Sequence, residues 1–105
     1  MADPRTFRLS QFGHDLLTRD QGAKVRRRLT EVVKGLGDSE TVLVDFDGVA
    51  TLTPSFADEC IGRLLLNLGL REFRAKVLLR TTDETVRRLV NRVLAYRAKE
   101  AQPAA

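Results

Sequence analysis

VLVDFDGVATLTPSFADE, running from Val42 to Glu59, decides how the chain is read. Thr41 to Phe46 is a β-branched apolar run with little alternation, as expected of a central strand covered on both faces. Asp45 and Asp47 close that strand, and Asp47-Gly48 is a turn pair. The second half reads as a helix start. Ser55 followed three residues later by Asp58 is a capping-box pattern, so the Ser55 hydroxyl is expected to accept from a free amide of the first turn. Asp58 and Glu59 suit the positive end of the helix dipole. Pro54 stands just inside or just before this helix.

Working outward, TFRLS at Thr6 to Ser10 alternates enough to predict a first, edge strand. The polar loop QFGHDLLTRD leads to a helix expected from about Gln21 to Leu36, with Val25, Leu29, Val32, Val33 and Leu36 on one face. Gly35 or Gly37 is expected to supply a left-handed cap. Downstream of Ser55, Ala57, Ile61, Leu64, Leu65 and Leu68 keep helical spacing up to the stop signal Gly69. Lys76 to Leu79 reads as a further strand. Asp83 to Lys99 reads as a last helix, with Val86, Leu89, Val90, Val93 and Leu94 on one stripe. The order β-α-β-α-β-α predicts an α/β fold: a single small layered domain with a mostly parallel or mixed sheet of about 3–4 strands packed with helices. The domain is expected over residues 1–100, with 101–105 a disordered tail.

At 105 residues the chain has room for one domain with one modest core. No apolar run approaches the roughly 20 residues that span a bilayer, and MADPRTFRLS lacks the apolar core of an export signal. The single Cys60 excludes an internal disulfide and fits a reducing, cytoplasmic setting. A net charge of +4 serves solubility or an acidic partner equally well.

DFDGVAT resembles the first motif of the haloacid-dehalogenase-like phosphatases. That resemblance implies Asp45 as nucleophile and Asp47 as acid/base, with Mg²⁺ offsetting charge. The remaining parts of such a site would fall to Thr81, Lys76 and the Asp83–Glu84 pair. These crowd onto one strand and its following turn, with Lys76 at the far end from Asp83. The expectation is therefore no catalytic residue, metal or cofactor, and Asp45 and Asp47 as loop-shaping acids.

A longer resemblance accounts for the same residues. VLVDFDGVATLTPSFADECIGRLL followed by LGLREFRAKVLLRTTDETVRRLV is similar to the STAS-like domain family of unknown function, small bacterial domains related to the anti-sigma-factor antagonists. The resemblance implies a non-enzymatic regulatory module that exchanges partners. It further implies a histidine-kinase-like ATPase as the partner and a phosphorylated Ser at the start of the helix after the central strand. The first four residues of the antagonists' Asp-Ser-Ser-Gly-Leu fall on Thr53, Pro54, Ser55 and Phe56, so the usual acceptor position holds proline and only Thr53 and Ser55 could replace it. The partner-binding or switch surface is thus expected from Asp47, Thr53, Ser55, Phe56 and Asp58, with Arg19 contributing from the entry of the first helix. Phosphate on Ser55 would gain from free helix amides and be opposed by Asp58 and Glu59.

Other residues read plainly. Arg19 otherwise stands as a solvated arginine beside the caps Thr18 and Asp20. His14 is a loop histidine and Cys60 a small buried residue. Arg26 to Arg28, with Arg87, Arg88, Arg92 and Arg97, could form a nucleic-acid-binding face. Glu31, Glu84 and Glu100 dilute it, and no stacking aromatics are interleaved.

Overall fold

The computed structural model describes residues 3–101. Strand β1 (Arg5–Arg8) is followed by a 3₁₀ turn at Leu9–Phe12 and by β2 (Asp15–Leu16). Helix α1 (Arg19–Lys34) leads to β3 (Val42–Asp45) and β4 (Thr51–Leu52). Helix α2 (Pro54–Ala57) runs through a π-helical segment, Asp58–Gly62, into α3 (Arg63–Leu68). Helix α4 (Leu70–Lys76), strand β5 (Val77–Arg80) and helix α5 (Glu84–Ala101) complete the chain. Ala101, expected in the tail, is the last residue of α5; the remainder of that expected tail lies outside the described residues.

The α/β architecture is as the sequence predicts. Strands β1, β3 and β5 form a parallel sheet in the order β1-β3-β5, and β2 pairs with β4 in a second parallel sheet of two strands. In the larger sheet Phe7, Val44 and Leu79 share a row, as do Arg5, Val42 and Val77. Phe7, Val42, Val44 and Val77 are buried and meet Val25, Leu29 and Val33 of α1, Phe56 of α2 and Leu64 of α3 in one core. Alternation sends Thr6, Leu43 and Leu78 to the opposite face. That face is partly open: Leu43 is half-buried and Leu78 is 43% exposed, so the expectation of a central strand covered on both faces is not met.

Local chemistry sets the element ends. Thr18 caps α1 in a reciprocal box, its hydroxyl accepting from the Gln21 amide at 3.1 Å while Gln21 Oε1 accepts from the Thr18 amide at 3.0 Å. This starts the helix at Arg19, two residues earlier than expected. Gly35 ends it with φ −84°, and positive φ occurs only at Gly13, Gly48 and Gly69 among the described residues. The left-handed cap expected at Gly35 or Gly37 is therefore absent. Asp83 caps α5, Oδ1 accepting from the amides of Thr85 (2.8 Å) and Val86 (3.1 Å). A Cβ at Gly22 would stand 2.8 Å from the Phe56 carbonyl oxygen, so this glycine lets α1 pass close against α2. No helix among the described residues is long and apolar enough to cross a membrane.

Candidate functional site

The β3–β4 loop is held from three sides. Phe46 donates to the Arg80 carbonyl at 2.9 Å, continuing the β3–β5 pairing past the strand end. Val49 donates back to the Phe46 carbonyl at 3.3 Å, which closes the expected turn over Asp47-Gly48. The buried Asp45 uses Oδ1 to accept from the Asp47 amide at 3.0 Å. Asp47 Oδ1 accepts from the Thr82 amide at 2.9 Å and from its hydroxyl at 3.0 Å. Those two bonds, the amide's first, hold the Asp47 carboxyl below the ordinary range, with Arg80 adding a smaller effect. Both acids are loop-shaping, and Asp47 faces the β5–α5 turn rather than the start of α2.

At that start the structure corrects the capping assignment. Thr53 is the N-cap: its hydroxyl accepts from the Phe56 amide at 3.1 Å and donates to the Leu17 carbonyl. Pro54 occupies the first helical position, where it has no amide to waste and its φ is already helical. Ser55 therefore lies one residue inside the helix, exposed, and its hydroxyl has no hydrogen-bond partner among the described residues. Phe56 is fully buried in the core, so it supports the surface from beneath and is not itself part of it.

Asp58 does not complete a capping box with Ser55. It takes a bidentate contact from Arg97 of α5, Nε to Oδ1 and Nη2 to Oδ2, both at 2.7 Å. Arg19 Nη1 adds a contact to Asp58 Oδ2 at 3.0 Å and reaches Glu59 Oε1 at 3.3 Å. Glu59 in turn receives Arg26 Nη1 at 2.8 Å, and the same nitrogen donates to the Glu59 carbonyl. Arg63 Nε lies 3.6 Å from Glu59. Two consecutive acids in the π-helical segment thus gather arginines from α1, α3 and α5. Gly62 allows the approach of α5, since a Cβ there would meet Arg97 Cγ at 3.0 Å and Val93 Cγ1 at 3.1 Å.

The electrostatic result is consistent. Arg97 first, and Arg19 second among the favourable contacts, hold the Asp58 carboxyl down to about 2 despite opposing burial. Arg26 does most to lower Glu59. Arg19, expected as a solvated side chain, has its pKa raised by its bonds to Asp58 and then Glu59. Burial pushes the Cys60 thiol up to about 12, which suits an inert core residue.

Of the surface expected from sequence, Arg19, Thr53, Ser55 and Asp58 come together where α1 meets the start of α2, while Asp47 and Phe56 serve elsewhere. Arg26, Glu59 and Arg97 were not expected in the cluster. Nothing local in the sequence announces them, whereas Pro54, favoured at the first helical position, was a signal that could have placed the cap at Thr53 instead of Ser55. Among the described residues no group of three or more His, Cys, Asp or Glu side chains is placed to hold a metal ion. Lys76 and Asp83 stand at opposite ends of β5, as the sequence indicates.

Comparison with curated proteins and with solved structures gave no significant match. The family described as a STAS-like domain of unknown function matches residues 21–87, from α1 into the first turn of α5 and so across β3, the loop and the arginine cluster. This match covers more than half of the sequence, and the chain belongs to the family of STAS-like domains of unknown function.

Proposed function

We propose that the chain is a non-enzymatic regulatory module of the partner-switching kind, cytoplasmic and bacterial, with a histidine-kinase-like ATPase as partner and Ser55 as the phosphorylated switch. The observation that carries this reading is the contrast between three adjacent residues. Thr53 commits its hydroxyl to the helix cap, Pro54 has none, and Ser55 presents a free hydroxyl on an exposed first turn. A kinase can reach Ser55 without unmaking a structural bond.

Charge supports the same choice. Asp58 and Glu59 were expected to oppose a phosphate on Ser55, but each is engaged by at least two arginines. Ser55 and Glu59 are four residues apart and so share a helix face. Arg19 already reaches that face, with its side chain 55% exposed. A phosphoserine of charge about −1.5 to −2 would meet a cation one turn away. The case against catalysis rests on the carboxylates that a phosphatase would use. Asp45 is buried against its own loop and Asp47 is occupied by Thr82.

Affinity capture of the tagged chain from its own cells, with bait and prey identified by mass spectrometry, tests the proposal. An ATPase among the prey with phosphate on Ser55 in part of the bait is expected, and Ser55→Glu should lose that prey while Ser55→Ala keeps it. Equal capture by both variants would remove Ser55 as the switch. Mg²⁺-dependent hydrolysis of a phosphate ester, abolished by Asp45→Asn, would overturn the non-enzymatic reading.

A further inference from the structure

Helix α5 carries four arginines, of which Arg87 pairs with Glu84 and Arg97 with Asp58 and Glu100. Arg88 and Arg92 are exposed and have no ion pair among the described residues. They are four residues apart, so two like charges neighbour each other on one helix face, an arrangement that costs stability when nothing anionic answers it. Between them and the start of α2 runs a groove of about 280 Å³ lined by Pro54, Thr85, Arg88, Leu89, Arg92 and Val93. Its floor is apolar, from Pro54, Leu89 and Val93, and its rim is cationic. Tyr96, again four residues on, extends the stripe and is 62% exposed, more than any other large apolar side chain described.

We propose that this groove and the Arg88–Arg92–Tyr96 stripe dock an acidic segment of a partner protein, with an apolar side chain seated between its carboxylates. Two guanidinium groups one helical turn apart match two carboxylates by fork-to-fork contact. The apolar floor calls for a side chain that a free anion or a nucleic-acid backbone does not offer. Arginine and tyrosine are also the residues that carry most binding energy at protein interfaces. Pro54 joins this groove to Ser55 through a single peptide bond. If the switch reading holds, phosphate on Ser55 adds charge of the same sign as the occupant and weakens docking; this regulatory part alone rests on the proposed function.

The test selects random linear peptides displayed on phage against the unphosphorylated full chain, then measures a labelled selected peptide by fluorescence anisotropy. Peptides with acidic residues flanking an apolar or aromatic one are expected. Their binding should weaken about tenfold or more in Arg88→Glu/Arg92→Glu, as for removed charge partners at an interface. The control Arg27→Glu/Arg71→Glu, with the same change of net charge, should bind as the native chain does. Circular dichroism melts verify that both variants fold. Peptides without acidic enrichment, no selected binder, or equal binding by both variants would overturn the proposal. So would a single-stranded oligonucleotide that binds the native chain and is lost in Arg88→Glu/Arg92→Glu. Because the selection uses neither phosphate nor the ATPase, it succeeds or fails independently of the capture experiment.

Discussion

Replacing Asp58 with alanine removes the acceptor that joins α5 to the π-helical segment. Both oxygens take 2.7 Å bonds from Arg97, and the two side chains are 17% and 15% exposed. Exposed ion pairs contribute about 0.2–1 kcal/mol, whereas breaking a buried pair costs about 3–5 kcal/mol. At this intermediate burial, with two charge-assisted bonds, Asp58→Ala should destabilise by about 2–3 kcal/mol. For a chain near 100 residues that lowers the melting midpoint by roughly 10–20 °C. A double-mutant cycle isolates the pair: urea unfolding of Asp58→Ala, Arg97→Leu and their combination should give a coupling of about 2 kcal/mol. The same cycle with Arg19→Ala should give less than about 1 kcal/mol, because Arg19 is mostly exposed and shares one nitrogen between two acids. A coupling to Arg97 no larger than that to Arg19 would refute the reasoning.

The depressed Asp58 pKa makes the same pair pH-sensitive. Its stabilisation is complete above the unfolded value near about 4 and is lost progressively as pH falls towards about 2. Allowing for solvent screening this amounts to about 1–2 kcal/mol; urea midpoints of the native chain should converge on those of Asp58→Asn through that window. Thr53→Ala should cost about 1–2 kcal/mol as a lost cap, and Ser55→Ala no more than about 0.5 kcal/mol; thermal melts showing the reverse order would restore Ser55 as the cap. Gly22→Ala would drive a Cβ to 2.8 Å from a backbone oxygen and should cost about 1–3 kcal/mol. Gly35→Ala, with φ −84° and no neighbour closer than 3.6 Å, should be neutral or gain up to about 1 kcal/mol, measured by denaturant unfolding.

What the sequence disclosed divides by range. The apolar run at Val42–Asp45, the stripe Val25–Leu29–Val33 and the apolar spacing in α5 are periodic signals within single elements, and each element appears within two or three residues of its expected place. Strands β2 and β4 have two residues each, too few to show a period, and exist only because His14 and Leu16 accept from Ala50, Thr51 and Thr53 across the fold. Helix α4 hid between the stop signal at Gly69 and the strand that follows. The cap at Thr53 was legible from Pro54, whose fixed φ marks the first helical position, but the Ser55–Asp58 spacing imitated a capping box and drew the assignment two residues too far. Arg97 reaches Asp58 across 39 positions, and Arg26 reaches Glu59 across 33. Contacts of that span depend on how helices pack, which no local pattern of charges records.

The all-parallel register has a kinetic corollary. Arg5 pairs with Val42, Val42 with Val77, and Asp15 with Thr51, so neither sheet contains a hairpin. Every first strand contact must close a loop of roughly 35 residues, at an entropic cost of about 3 kcal/mol before any ladder bond forms. Helix α1 lies inside one such loop, and the segment from α2 to α4 lies inside the other. The expected order of folding is therefore helices gathering on apolar contacts first and the sheet zipping after both crossovers have collapsed, at the slower rates typical of non-local topologies.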